Sequence, residues 1–214
     1  TRPSRGTEAR TGAIHDALLD RAAASVGRYL AAHQEADGWF TVGDGEMTLV
    51  DHLYATWALG RLAARQPSPA LAECVKRAIA AAGRKIVRSQ GRAVVKADSP
   101  DDTLAATAFL ALAMALDPDK TQEAIAQRRE LLAGLAESLT APTSQPQAAT
   151  ATMPTSPPRQ VYRGRYIALL ALATDPAYAQ AVAPARQVLR KARPANAEAA
   201  LWAFRVRVAE SWPP

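Results

Sequence analysis

The sequence predicts an all-α protein built as an array of about four helical hairpins, and three observations carry that prediction. Residues 104–116 are almost wholly apolar and are entered through the acidic turn Asp98-Ser99-Pro100-Asp101-Asp102. A helix apolar on every side is a buried helix. At about 15 residues it is too short for a bilayer, which needs about 20. Hydrophobic residues make up 49% of the 214, and much of that share is Ala, the strongest helix former. β-branched and aromatic runs are scarce, which predicts few or no strands. Finally, a two-helix unit recurs: Asp51, Leu53, Ala55, Thr56 and Leu59 return in the same spacing as Asp102, Leu104, Ala106, Thr107 and Leu110.

In chain order, residues 1–12 are polar, contain Pro3 and Gly6, and read as a flexible N-terminal arm. A first helix is predicted over 13–33, with Ile14, Leu18, Ala22, Val26 and Leu30 near one face. It ends in Gln34-Glu35-Ala36-Asp37-Gly38-Trp39-Phe40, where Asp-Gly makes a turn and Gly38 supplies positive φ. Residues 41–48 read as a solvated loop, since its acids lack EF-hand spacing. A second helix is predicted over 49–65. A third, over 69–88, starts at Pro69 and is amphipathic through Leu71, Val75, Ile79, Ala82 and Ile86. Residues 89–97 read as a connector, 101–116 as the buried helix with Asp101 or Asp102 as its N-cap, and 120–139 as a charged fifth helix. Residues 140–158, rich in Pro, Thr, Ser and Gln, carry no apolar period and read as a loop. Three more helices are predicted over 160–174, 176–192 and 196–210. The chain is thus one domain, with 13–139 and 159–214 as its two helical parts.

The net charge of +6 is moderate, and no Lys/Arg run with interleaved aromatics points to nucleic acid. No targeting or membrane-spanning segment is visible; the first residue is Thr1 rather than Met, which leaves room for a removed leader. The single Cys74 excludes an internal disulfide and, mid-helix among apolar residues, reads as buried and inert.

The repeated unit is an amphipathic helix, a connector and a more apolar helix. None of these units buries its apolar face alone, so they must stack or curl with the apolar helices inside. The helix ending Gln34-Glu35-Ala36-Asp37-Gly38-Trp39 resembles the "Q-x-x-D-G-x-W" ending of the α/α-toroid class. Asp51-His52-Leu53-Tyr54-Ala55-Thr56 and Asp98-Ser99-Pro100-Asp101-Asp102-Thr103 resemble its inner-helix starts. That class includes terpenoid cyclases, protein prenyltransferase β subunits and pectate-lyase-like toroids. The resemblance covers roughly residues 14 to 210 and implies a toroid-like array. With four hairpins, fewer than the class usually carries, the ring is expected to be incomplete. Pro100 stands where the cyclase acid motif has its central Asp, and Cys74 lacks the Asp/Cys/His companions that the prenyltransferase zinc site requires.

In such a stack the starts of the inner helices open on one rim. Asp51, His52, Tyr54, Asp98, Asp101, Asp102, Tyr162, Arg163, Arg165 and Tyr166 would fall there. The acids have three readings: a Ca²⁺ site bridging to an acidic sugar, a carboxyl with raised pKa acting as general acid, or caps of the turn and helix. His52 beside Tyr54 is either a proton-transfer pair or a capped, solvated histidine. Arg159, Arg163 and Arg165 straddle Tyr162 and Tyr166. Guanidinium binds carboxylate bidentately and phenol faces suit sugar rings, so this is the best anion-recognition candidate; the other reading is a solvated face. Trp57 and Trp202 lie in apolar helices and read as core.

By the resemblance, the favoured function is binding of, or lyase-like action on, an anionic polysaccharide. His52, Arg163 and Asp102 would be catalytic; Asp51, Tyr54, Asp98, Asp101, Tyr162, Arg165 and Tyr166 would bind substrate. No cofactor is expected beyond Ca²⁺, and the reading favours a periplasmic or secreted protein. The alternatives are a non-catalytic protein-interaction module and, more weakly, a terpenoid-cyclase-like protein.

Overall fold

The structure, a computed structural model, describes residues 5–43, 45–117, 120–140, 163–178, 180, 182–191, 197, 200–202 and 205. The class is all-α. The helices are α1 (Arg5–Ala32), α2 (Leu49–Arg65), α3 (Pro69–Gly83), α4 (Pro100–Leu116), α5 (Gln122–Thr140), α6 (Arg163–Leu172) and α7 (Ala183–Lys191). Ala197, Ala200–Trp202 and Arg205 are also helical. Two small antiparallel hairpins join α1 to α2 and α3 to α4, β1 (Thr41–Val42) with β2 (Gly45–Glu46) and β3 (Ile86–Ser89) with β4 (Arg92–Val95).

α2 and α4 start in the same way. Thr48 Oγ1 accepts the Asp51 N–H and donates to Asp51 Oδ2; Ser99 Oγ accepts the Asp102 N–H and donates to Asp102 Oδ2. In each, a hydroxyl at the N-cap is paired with an Asp at the third helical position. The N-caps are therefore Thr48 and Ser99, not Asp51, Asp101 or Asp102, because a hydroxyl three residues back already satisfies the orphan N–H.

Several predicted elements are corrected. The third helix stops at Gly83, five residues short of the predicted end, and its last apolar positions enter β3. Gln90 (φ 50°) and Gly91 (φ 73°) both take positive φ, the two-residue turn that matches strand twist. Gln90 thus turns a hairpin. The seventh helix is split into a short turn at Pro176–Tyr178 and α7. Pro184, without an N–H and with its ring against the preceding turn, can only sit at a helix start. α1 begins at Arg5, so residues 5–12 are helical rather than an arm. Its predicted core face is turned outward at Leu18 and Val26, 59% and 57% exposed, while Leu30 at its end packs on the core. Gly27 faces inward instead, and Leu62 Cδ2 of α2 occupies the space a Cβ would take, 2.5 Å from its position.

α4 lies at the centre, as its all-round apolarity demands, packed by α2, α6, α5, α3 and β4. Leu53, Leu110, Leu131, Leu135, Ile167 and Leu172 are fully buried, each worth about 1.5–3 kcal/mol. That outweighs surface pairs such as Arg88–Glu130 at 3.0 Å and Arg92–Glu137, worth about 0–1 kcal/mol each. Cys74 is 2% exposed, and burial pushes its thiol up to about 11, so it is inert.

The first connector is held by Gln34, whose side-chain amide donates to the carbonyls of Gly38 (3.0 Å) and Cys74 (2.8 Å). Gly38 has φ 95°, and a Cβ there would lie 2.5 Å from the Arg77 carbonyl oxygen, so only glycine lets the turn rest on α3. The second connector is held by Thr107, whose Oγ1 accepts the Val95 N–H at 2.9 Å.

Candidate functional site

α2, α4 and α6 run parallel. Tyr54 and Gly60 of α2 meet Phe109 and Leu116 of α4. At the two ends of α6, Gly164 lies beside Asp101, and Thr174 shares the Arg128 guanidinium with the Ala111 carbonyl. The starts of all three helices therefore face the same end of the molecule.

There α4 and α6 are joined through charge. Arg163 Nη2 donates to Asp102 Oδ1 at 2.5 Å, and the Gly164 N–H donates to Asp101 Oδ1 at 3.1 Å. Asp101 thus satisfies an orphan amide of the neighbouring helix. Asp102 is held on both oxygens, by Arg163 and by Ser99. Its carboxylate is a joint between α4 and α6.

A cavity of about 220 Å³ opens beside this joint, lined by Asp51, Tyr54, Phe109, Arg163, Trp202 and Arg205. Its aromatic wall is continuous: Phe109 lies 5.4 Å from both Tyr54 and Trp202, ring centre to ring centre, and Tyr54 lies edge-on to Trp202 at 6.1 Å. Trp57 backs the wall, 5.7 Å from Phe109. Both tryptophans are buried, as core residues should be. Arg205 Cζ sits 4.8 Å from the Trp202 ring centre, within cation–π range. Its guanidinium makes no ion pair with a carboxylate of the described residues.

The other predicted site residues scatter. His52 is fully buried, 4.1 Å from the Trp39 ring and 5.0 Å from Phe40. Its Nδ1 accepts the Phe40 N–H at 3.4 Å and its Nε2 donates to the Ala78 carbonyl at 3.3 Å. Burial lowers its pKa to about 4, so it is a neutral core histidine and not a base at the opening. Tyr166 is buried too, its hydroxyl donating to the Leu189 carbonyl at 3.3 Å, which ties α6 to α7. Asp98 lines a different cavity, and Arg165 lines neither. Tyr162 lies outside the described residues. Asp51, Tyr54 and Arg163 remain, joined by Phe109, Trp202 and Arg205. The signal for the last pair was present, since an aromatic and an Arg at i, i+3 share a helix face.

Among the described residues no three His, Cys, Asp or Glu side chains gather to hold a metal ion, and no helix is long and apolar enough to cross a membrane. The cavity sets the guanidiniums of Arg163 and Arg205 and the carboxylate of Asp51 beside an aromatic wall, groups suited to hydrogen bonding and to stacking on a flat ring. No protein-family model matches the chain, and no curated protein or solved structure is similar to it.

Proposed function

We propose that the protein binds an anionic saccharide of the uronic-acid type at the end where α2, α4 and α6 begin. The observation that supports this reading is Arg205, a cation over Trp202 that makes no ion pair among the described residues, in a cavity shared with Tyr54 and Asp51. At about 220 Å³ the cavity falls below the roughly 300–1,000 Å³ of pockets that enclose a whole ligand, so it suits one ring of a chain. Recognition is favoured over elimination, because His52 is enclosed and Asp102 is spent on Arg163. The terpenoid alternative is disfavoured: Tyr54, Trp57, Phe109 and Trp202 pack on one another rather than around a chamber. The fold reading that goes with this is a small α/α-toroid. α2, α4 and α6 form its inner row, α1, α3 and α5 its outer row, and Trp202 returns to α2.

Calorimetric titration with oligogalacturonate is expected to show binding that weakens with salt. Arg205→Ala should weaken it by about 10- to 100-fold, the worth of one charged hydrogen bond. Absence of heat, or an Arg205→Ala variant that binds like the wild type, would remove the reading.

A second reading, a protein-interaction module, is favoured by one observation. Leu18, Val26 and Tyr29 form an exposed apolar stripe on α1. If a protein covers it, light scattering should show a mass above one chain, restored to one chain by Val26→Arg. A monomeric wild type that captures no partner through this face counts against it.

A further inference from the structure

A second cavity, of about 420 Å³, lies between the two connectors, and its lining is charged where the first is largely aromatic. Lys85 and Lys96 reach it from the two strands' ends, brought side by side by the Lys96 N–H donating to the Lys85 carbonyl at 3.2 Å. Both side chains are exposed, and neither makes an ion pair among the described residues. Trp39 lines the same space and packs on buried His52, which fixes the indole as a platform. Of the two carboxylates present, Asp37 is engaged, 4.0 Å from Arg84 and accepting the Trp39 N–H at 3.1 Å. Asp98 is exposed and placed to accept hydroxyl groups.

Two neighbouring ammonium groups, an acceptor carboxylate and a fixed aromatic face make up the chemistry that recognises an acidic sugar ring. The cavities are also adjacent. Leu49 lines this one, Val50 and Asp51 line the other, and all three belong to the first turn of α2. One helix diameter of about 10–12 Å separates opposite sides of that turn, the reach of about two or three linked pyranose rings.

We infer that the cavity at Lys85, Lys96 and Trp39 is a second subsite for the same anionic saccharide, so that the ligand is an oligomer laid across the start of α2. This rests on the Arg205 cavity being the first subsite. Linked subsites raise affinity through effective concentration without new contacts at either one.

The test compares galacturonate with tetragalacturonate by calorimetry, and follows acylation of Lys85 and Lys96 by mass spectrometry. Tetragalacturonate should bind at least about tenfold more tightly than the monomer. The double variant Lys85→Ala/Lys96→Ala should erase that advantage, and bound tetramer should protect both lysines from acylation. An advantage that survives in the double variant, or lysines acylated equally fast at saturation, overturns the second subsite alone. Protected lysines with an Arg205→Ala variant that binds normally would instead remove the Arg205 site and leave the lysine cavity as the binding site. No binding of either sugar overturns both.

Discussion

Replacing His52 by alanine is expected to cost about 3–6 kcal/mol, a large part of the 5–15 kcal/mol typical of a whole domain. The ring is fully buried between Trp39 and Phe40, so its removal leaves a hole of aromatic size. It also leaves the Phe40 N–H unpaired, at about 1–3 kcal/mol, and takes from the Ala78 carbonyl a bond made in addition to that of its helix. His52→Phe keeps the stacking and should lose less. Denaturant midpoints measure both.

The same residue sets a pH dependence. Its pKa is lowered from 6.5 to about 4 in the folded protein. Between those values the unfolded chain takes up a proton that the native state refuses, so stability falls as pH drops from about 6.5 to about 4 and levels off below. The full effect is about 3 kcal/mol. His52→Phe should flatten this part of the profile. A variant profile parallel to the wild type would show that the histidine is not held neutral.

Gly164→Ala is the second large effect, and its sign is a contest. In a helix Ala is better than Gly by about 1 kcal/mol. Against that, a Cβ at position 164 would collide with the Asp101 carbonyl oxygen and stand 2.8 Å from Asp101 Oδ1 and 3.0 Å from Leu104 Cβ. The obstacle is the backbone of α4, which cannot swing aside. α6 must move off, which breaks the Gly164–Asp101 and Arg163–Asp102 contacts, each worth about 1.5–3 kcal/mol as a hydrogen bond to a charged group. The net loss should be about 2–4 kcal/mol, with saccharide binding lost as Arg163 leaves the cavity. An unchanged or raised melting temperature would show that α6 does not need this close approach.

α4 illustrates what could be read in advance. Its apolarity on every side left it nowhere to go but the centre, and the repeat correctly paired its start with that of α2. The connectors were harder. Ile86 extends the period of α3 and equally suits a strand, because one apolar residue at i+4 satisfies both patterns. Only Gln90 and Gly91 in positive φ decide for the hairpin. α1 misled for a related reason: its periodic face was real, but Gly27 allowed the opposite side to approach α2.

By itself the chain's order of residues determined the helical class, the central helix, the two-helix repeat and the burial of Cys74, Trp57 and Trp202. These follow from local propensity and apolar period, which neighbours in sequence carry. Tertiary structure alone decided that His52 turns into the core, that Asp101 and Asp102 bind α6, and that Arg205 and Trp202 join Tyr54. Those facts depend on which elements meet, and contacts from 12 positions apart, as at Phe40 and His52, to 63, as at Asp101 and Gly164, leave no mark on local pattern.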